Sequence, residues 1–281
     1  EDTANGRWGK DSFYDSSGTV LSDGETTIIN AAMEPEIVDL QNFLNKMGAK
    51  IEGAGSNIIK IKGVTKLKDV SYNIMPDRIE AGTLLCAAAI TGGEITLKKV
   101  NCMHITPLLN KLTEAGCTIK LKQNEIELKA PKRLKAIDVK TMPYPGFPTD
   151  MQAIIGAVLS VGAGTSIIVE NIFENRYKYT AELQKMGAKI KIEGKTAVIK
   201  GVKKLYGARV GATDLRGGAS LVLAGLVAKG TTNVENIEYI LRGYENLDKK
   251  LKNLGAEIYM IKSWWKGEIF SIFLCIVIEK K

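Results

Sequence analysis

The residues best suited to chemistry lie in a proline-containing motif at positions 144–152, Y-P-G-F-P-T-D-M-Q. Its two prolines restrict the backbone of a loop that leads into an apolar helix predicted over residues 151–161. Asp150 stands at the start of that helix, where a carboxylate can cap the helix or act as a general base. Capping alone does not require so rigid an approach. Both interpretations therefore stay open, and Asp150 is the first candidate catalytic residue.

Two further motifs place an arginine beside the start of a predicted helix. Asp214 and Arg216 belong to D-L-R at 214–216, and Arg78 belongs to P-D-R-I-E at 76–80. The aspartates are typical helix caps, and Asp77 with Glu80 has the spacing of a capping box. An arginine fork at the positive end of a helix suits an anion. We therefore expect Arg216 and Arg78 to help bind a phosphate or a carboxylate.

Three more segments carry candidate binding residues, each with a structural alternative. Glu34 precedes Pro35 at a predicted helix start, where acidic residues favour the helix dipole without any ligand. Ile172 and Phe173 lie in N-I-F-E-N-R at 171–176, which is equally typical of a solvated turn before a helix. Arg242 precedes G-Y-E at 243–245, and a lone arginine is more often a surface residue.

Cysteine and histidine usage argues against a metal centre. The chain has one histidine, His104, and four cysteines, none of them in a C-x-x-C pair. This set cannot assemble a zinc site of usual composition. Free buried thiols in a reducing cytoplasm are the expected state. His104 lacks the loop that a nucleophilic histidine needs, which counts against an RNA-end-processing enzyme.

These motifs are embedded in a repeat. A helix-like stretch, a glycine with a small residue and a strand recur around Gly48, Gly116, Gly187 and Gly255. Such regular self-similarity marks a repeated supersecondary unit. The glycine is expected where a helix end needs a left-handed residue. Two short strands follow it, as at 189–193 and 196–200, and an apolar helix and another strand follow, as at 219–228 and 231–234.

The composition is that of an ordinary globular protein. Of 281 residues, 45% are hydrophobic and 25% charged, with a net charge of +8. Lysines alternate with isoleucine or leucine, as in 60–62 and 120–122, which is typical of a solvated strand face. Without a basic stripe interleaved with aromatic residues, we expect no nucleic-acid partner. The polar start predicts no signal peptide, and the apolar run 269–278 is too short to span a membrane.

The chain resembles the UDP-N-acetylglucosamine enolpyruvyl transferases over residues 26–262. The resemblance is carried by three motifs that occur in this order within the repeats: F-P-T-D-M-Q, F-E-N-R and D-L-R. The resemblance implies an inside-out α/β barrel of repeated βαβαββ units, here incomplete. It also implies transfer of enolpyruvyl from phosphoenolpyruvate to the 3-hydroxyl of UDP-N-acetylglucosamine, the first committed step of peptidoglycan synthesis, in the cytoplasm. Neither a metal nor an organic cofactor is implied.

The resemblance assigns roles to the candidate residues. It implies that Asp150 contacts the sugar and is the base for its 3-hydroxyl, while Ile172 and Phe173 lie beside the nucleotide. It implies that Asp214 and Arg216 line the phosphoenolpyruvate pocket and that Arg242 closes over it. Glu34 and Arg78 are further candidates for substrate binding.

Residues 1–25 and 263–281 do not match the family, and the predicted domains are 26–75 and 76–262. In the family, an acid catalyst sits on a mobile loop before the matched region. None of the four cysteines lies in such a loop; they are Cys86, Cys102, Cys117 and Cys275. We expect this chain to be inactive alone. Whether it is a fragment, a frameshift product or a shortened relative stays open, as does a separate amino-terminal half as its partner.

Alternatives remain open at this point. The chain could be a non-catalytic protein that binds a sugar nucleotide, or a scaffold, or a 3-phosphoshikimate enolpyruvyl transferase. The apolar stretch 269–278 has the composition of a strand and could complete the sheet of the last repeat, or form a disordered, aggregating tail.

Overall fold

A computed structural model describes residues 2–5, 18–265 and 268–278. These fall into two compact units. The first holds the described residues up to Pro76 with Pro143–Gly146, and the second holds Asp77–Met142 and the described residues from Phe147 onwards. The predicted segments 1–25 and 263–281 lie partly outside the described residues. The predicted domain boundaries stay predictions.

In the described residues of the first unit, a four-stranded sheet accompanies the helix at 35–46. Its elements are β1 (Asp2–Asn5), β2 (Glu25–Ile29), α1 (Pro35–Lys46), β3 (Lys50–Glu52) and β4 (Ile58–Lys62). The strand order is β1-β2-β4-β3, with β1 parallel to β2 and the other neighbours antiparallel. Along β4, Ile59 and Ile61 are buried and Lys60 and Lys62 are exposed. The period-two pattern of the sequence thus gives one core face and one solvated face.

The second unit contains the remaining elements in alternating order. Its helices are α2 (Arg78–Thr91), α3 (Thr106–Glu114), α4 (Gln152–Leu159), α5 (Tyr179–Lys185), α6 (Leu215–Gly225), α7 (Glu238–Leu241) and α8 (Leu247–Asn253). Its strands are β5 (Glu94–Lys98), β6 (Thr118–Lys122), β7 (Glu125–Lys129), β8 (Val139–Lys140), β9 (Thr165–Val169), β10 (Lys189–Glu193), β11 (Thr196–Lys200), β12 (Leu205–Tyr206), β13 (Arg209–Gly211), β14 (Ala228–Glu235), β15 (Ile258–Trp265) and β16 (Glu268–Ile278).

Three apolar helices form the interior of this unit. Helices α2, α4 and α6 pack against one another, and every residue of α4 is buried. Three sheets surround them, in the orders β5-β7-β6, β10-β11-β9-β8 and β12-β14-β16-β15, with β13 paired to β14. A helix that is hydrophobic all round has to be enclosed on every side. The predicted inside-out α/β architecture is confirmed.

The repeat glycines end the outer helices. Gly48, Gly116, Gly187 and Gly255 follow α1, α3, α5 and α8 with φ of 107°, 106°, 93° and 99°. This left-handed backbone strains residues that carry a Cβ, so glycine is the residue that fits there. A pair of strands follows Gly48, Gly116 and Gly187, as the repeat predicted, and after Gly255 the second strand is supplied by the tail.

Two predicted helix boundaries were displaced. Helix α4 begins at Gln152 because residues 149–151 form a 3-10 turn. Helix α6 begins at Leu215, well before the predicted 219, because Asp214 caps it, and Ala228 already belongs to β14.

The tail prediction is confirmed over residues 268–278, where β16 is antiparallel to both β14 and β15. Leu274 and Ile276 point into the core. Within the described part of the chain, no helix has the length and hydrophobicity needed to cross a membrane.

Candidate active site

The carboxylate of Asp150 lies between two arginines of the second unit. Its Oδ1 accepts a hydrogen bond from Arg176 Nη2 at 2.5 Å, and its Oδ2 accepts one from Arg216 Nη2 at 3.1 Å. Asp150 sits inside the 3-10 turn before α4, and its side chain does not cap that helix. The capping interpretation of Asp150 was therefore wrong, and the rigid loop serves to present the carboxylate to the two guanidinium groups.

The electrostatics of this cluster keep Asp150 ionised. The side chains of Arg176 and Arg216 are 17% and 12% exposed, whereas that of Asp150 is 40% exposed. Burial favours the protonated acid, but the attraction of Arg216 and then of Arg176, with their hydrogen bonds, outweighs it. The pKa of Asp150 is consequently lowered. The carboxylate is charged at neutral pH and open to solvent on one side.

Arg216 is held by its own helix start and by an aromatic ring. Asp214 caps α6 by accepting hydrogen bonds from the backbone N–H groups of Arg216 at 3.0 Å and Gly217 at 2.8 Å. The Arg216 guanidinium lies over the ring of Tyr244 at 5.3 Å, and the Tyr244 hydroxyl is 2.9 Å from that of Thr83 on α2. The capping prediction for Asp214 is confirmed.

Arg216 has donor capacity to spare. Its Nε and Nη1 are buried and have no hydrogen-bond acceptor among the described residues. Desolvation lowers the pKa of Arg216, but Asp150 more than offsets this, so the pKa is raised and the group stays cationic. A buried cation with two unused donors suits an anionic ligand.

The loop after β9 brings a second set of candidates to this region. Glu170 is 1% exposed and accepts hydrogen bonds from the backbone N–H groups of Ile172 at 2.8 Å and Phe173 at 3.1 Å. Ile172 is half-buried, and Phe173 is 45% exposed with its ring 4.8 Å from the Arg176 guanidinium. Phe173 and Asp150 therefore share Arg176 as a neighbour.

Arg78 and Arg242 have different surroundings. Arg78 is the first residue of α2 and is buried, while Asp77 caps the helix by accepting from the N–H groups of Ile79 and Glu80. The capping box is formed in its aspartate half, and the Glu80 carboxylate pairs with Lys250.

Arg242 ends α7, is exposed, and lies over the Tyr239 ring at 5.2 Å. Glu34 belongs to the first unit, where it precedes α1 and its side chain makes no capping hydrogen bond. The described ion pairs of Asp150 are with Arg176 and Arg216.

His104 and the buried thiols take part in local structure. His104 Nε2 is 2.9 Å from Asn101 Nδ2, in the 3-10 turn before α3. Cys86 and Cys117 are buried, and burial raises the pKa of the Cys117 thiol to about 11. A thiol that stays protonated at neutral pH is a poor nucleophile.

Sequence reasoning missed Arg176, Glu170 and Tyr244. Arg176 lies inside the quoted F-E-N-R motif, but its partner Asp150 is 26 residues away in the chain. Glu170 directly follows β9, and a single acidic residue at such a position carries no sequence signal of burial. Tyr244 lies in the R-G-Y-E segment at 242–245, two residues from the candidate Arg242.

Known proteins resemble the chain over most of its length. A family model described as EPSP synthase (3-phosphoshikimate 1-carboxyvinyltransferase) matches residues 17–251. The UDP-N-acetylglucosamine 1-carboxyvinyltransferase 2 of Caldanaerobacter subterraneus is 59% identical over 242 residues, and the UDP-N-acetylglucosamine 1-carboxyvinyltransferase of Thermodesulfovibrio yellowstonii is 56% identical over 243. Each match covers 86% of this chain, and the chain spans 58% of each relative's length.

Solved structures show the same fold. The enolpyruvyl transferase NikO from Streptomyces tendae superposes with a TM-score of 0.79 at 24% identity, covering 90% of this chain and 60% of that one. EPSP synthase from Acinetobacter baumannii superposes with a TM-score of 0.67 at 18% identity, covering 90% and 61%. At these identities the likeness concerns the fold alone.

Proposed function

The chain belongs to the EPSP synthase (3-phosphoshikimate 1-carboxyvinyltransferase) family, and on that premise we propose that it forms part of an enolpyruvyl transferase acting on UDP-N-acetylglucosamine. The observation that carries the proposal is the identity of 59% and 56% to two relatives bearing that enzyme name. Because the chain spans 58% of their length, the activity of the whole protein is part of the proposal.

The proposed reaction joins the 3-hydroxyl oxygen of the sugar to the central carbon of phosphoenolpyruvate. The hydroxyl proton passes to a base, and the methylene carbon takes a proton from an acid and becomes a methyl group. Phosphate then leaves as the methyl carbon gives up a proton and the double bond re-forms. Cations over phosphate and carboxylate stabilise the charge that develops on the way. We propose that the described residues supply the base and part of the cationic surface.

Asp150 is the proposed base. It is ionised and partly exposed, so it can accept a hydroxyl proton from a ligand that reaches its open side. Its two arginine partners weaken it as a base while they fix its position. Catalysis by Asp150 therefore depends on a substrate hydroxyl held in hydrogen-bonding contact as the new C–O bond forms.

The other candidates are proposed as binding residues. Arg216, with two unused donors, would hold an anionic group of phosphoenolpyruvate, and Asp214 fixes the helix start that carries it. Ile172 and Phe173 would contact the nucleotide sugar. For Arg78, Glu34 and Arg242 the same role rests on the family resemblance. We propose that the reaction belongs to cytoplasmic peptidoglycan synthesis, which is the role that the family resemblance implies.

Three other functions are less well supported. A 3-phosphoshikimate transferase shares the family description, but the solved EPSP synthase is only 18% identical. A protein that binds the sugar nucleotide without catalysis would keep the Asp150 cluster and differ in turnover alone. An RNA-end-processing enzyme would need a nucleophilic histidine, and the Nε2 of His104 instead forms a hydrogen bond with Asn101.

Titration calorimetry of this chain with UDP-N-acetylglucosamine tests the proposal. Asp150→Asn should weaken binding by about tenfold or more, the usual effect of losing a hydrogen bond to a charged group. Asp138→Asn is the matched control, because Asp138 is exposed and accepts only the N–H of Ile167 at 2.8 Å among the described residues. Absent binding, or tighter binding of 3-phosphoshikimate, would overturn the assignment of the sugar substrate.

A further inference from the structure

The carboxylate of Glu170 is buried without a cation. It is 1% exposed, and no lysine or arginine in the described part of the chain forms an ion pair with it. A buried charge is tolerated when hydrogen bonds replace its hydration. Glu170 is therefore expected to carry a full set of donors, and the identity of those donors shows what the residue does.

Four groups donate hydrogen bonds to Glu170. Oε1 accepts from Thr141 Oγ1 at 2.9 Å and from the backbone N–H groups of Ile172 at 2.8 Å and Phe173 at 3.1 Å. Oε2 accepts from Thr149 Oγ1 at 2.9 Å. The Thr141 hydroxyl in turn accepts from the N–H of Asn171 at 2.9 Å. Of the two acceptors for its own proton, Glu170 Oε1 at 2.9 Å is closer than the Val169 carbonyl oxygen at 3.5 Å.

Three of these donors belong to the two segments that meet at Asp150, and the fourth, Thr141, directly follows β8. Thr149 immediately precedes Asp150 in the 3-10 turn, and Phe173 lies three residues before Arg176. One oxygen of Glu170 thus holds the segment that carries the carboxylate. The other oxygen holds the segment that carries Arg176, whose guanidinium donates a hydrogen bond to Asp150 Oδ1 at 2.5 Å.

From this arrangement we propose that Glu170 is a positioning residue for Asp150, because it ties the 149–151 turn to the 171–176 loop and so sets the Asp150–Arg176 contact. The proposal rests on the proposed function, in which Asp150 is the base. Glu170 touches no reacting atom in this scheme. It acts through the geometry of Asp150 and of the loop with Ile172 and Phe173.

The titration of Asp150 tests this without any substrate. Protein labelled with ¹³C at aspartate Cγ gives the Asp150 midpoint, with Asp150→Asn used to assign its signal. Glu170→Ala should raise that midpoint toward the value of an ordinary aspartate, because Arg176 is no longer held against it. Glu170→Gln should restore most of the wild-type titration, since its oxygen can accept from the loop and its amide can donate to Thr149.

The matched control is Glu182→Ala. Glu182 also accepts a hydrogen bond from a backbone N–H, that of Gly211 at 2.9 Å, and its side chain is 14% exposed. Its ion-pair partner is Lys185, which forms no described hydrogen bond or ion pair with Asp150. A purely structural role predicts equal Asp150 midpoints in both alanine variants, and that result would overturn the proposal. Should Glu170→Ala fail to fold, Thr149→Val decides, because it removes the single hydrogen bond next to Asp150.

Binding of UDP-N-acetylglucosamine gives a second readout. Glu170→Ala should weaken it about tenfold, the loss expected for a displaced contact to a charged group, while Glu182→Ala should leave it near wild type. If the wild-type chain binds no sugar nucleotide, the proposed function fails. The Asp150 midpoints still decide whether Glu170 positions that carboxylate.

Discussion

Ile276 of β16 offers a sharp test of how the last sheet is built. Its side chain is fully buried, and it lies against α6 at a position where that helix has no side chain. A Cβ added at Gly225 would come within 2.6 Å of Ile276 Cδ1. Glycine therefore leaves on α6 the space that Ile276 fills, and truncating the isoleucine opens a cavity between β16 and the helix.

The size of the effect follows from the atoms removed. Ile276→Ala deletes three carbons, which at about 0.8 kcal/mol per buried methylene lowers the free energy of unfolding by about 2.4 kcal/mol. The cavity left beside Gly225 adds to this, so a total of about 3 kcal/mol is expected, within the usual range of about 2–5 kcal/mol. Val277→Ala is the control, because Val277 is only half-buried and should cost less than about 1 kcal/mol.

Urea denaturation of the two variants and the wild type measures the difference. If β16 packs on α6 as described, the midpoint for Ile276→Ala falls well below that for Val277→Ala, with little change in slope. Equal midpoints would refute the placement of β16 in the sheet. Ile276→Val serves as an intermediate point, with an expected loss of about 1 kcal/mol.

Three further outcomes are expected. Because the pKa of Asp150 is lowered in the folded protein, its ion pairs stabilise the protein above about pH 4. This contribution is lost as the pH falls through the folded pKa. Wild type and Asp150→Asn should therefore have similar free energies of unfolding in urea at acid pH, and a constant difference between them would contradict this. Tyr244→Phe should cost about 1 kcal/mol, and in a double-mutant cycle with Thr83→Val the two losses should not add, because both remove the 2.9 Å hydrogen bond. Gly156→Ala should lower the free energy of unfolding by about 1–3 kcal/mol, since the added Cβ would lie 2.5 Å from Tyr179 Oη. Tyr179→Phe should relieve this clash. It should also be tolerated by itself, because the Tyr179 hydroxyl is buried with no hydrogen-bond partner in the described part of the chain.

The fold was largely predictable because its signals are local and repeated. A glycine after each outer helix, a two-residue turn such as Gly194-Lys195 and an apolar stretch such as 153–159 each follow from near neighbours in the sequence. The start of α4 shifted because of the 3-10 turn at 149–151, and the start of α6 shifted because of a capping interaction. Asp214 sets the start of α6 earlier than the apolar pattern alone suggests.

The sequence identified most residues of the site but not the contacts between them. Asp150 and Arg216 were both singled out, but nothing in the sequence pairs residues that lie 66 positions apart. The two aspartates before inner helices look equivalent in sequence, yet Asp214 caps its helix and Asp150 does not. The difference arises from tertiary neighbours, because each carboxylate oxygen of Asp150 accepts a hydrogen bond from a different guanidinium group.

The position of β16 also has a consequence for the order in which the chain folds. Strands β14 and β15 do not pair with each other, and both hydrogen-bond to β16 between them. During synthesis, residues 228–265 therefore emerge with two open strand edges that can close only after residues 268–278 have followed. Open edges recruit other chains. The interval between the synthesis of β14 and β16 is thus when nascent copies are most exposed to pairing with one another, and a chaperone that shields those edges would act in this interval.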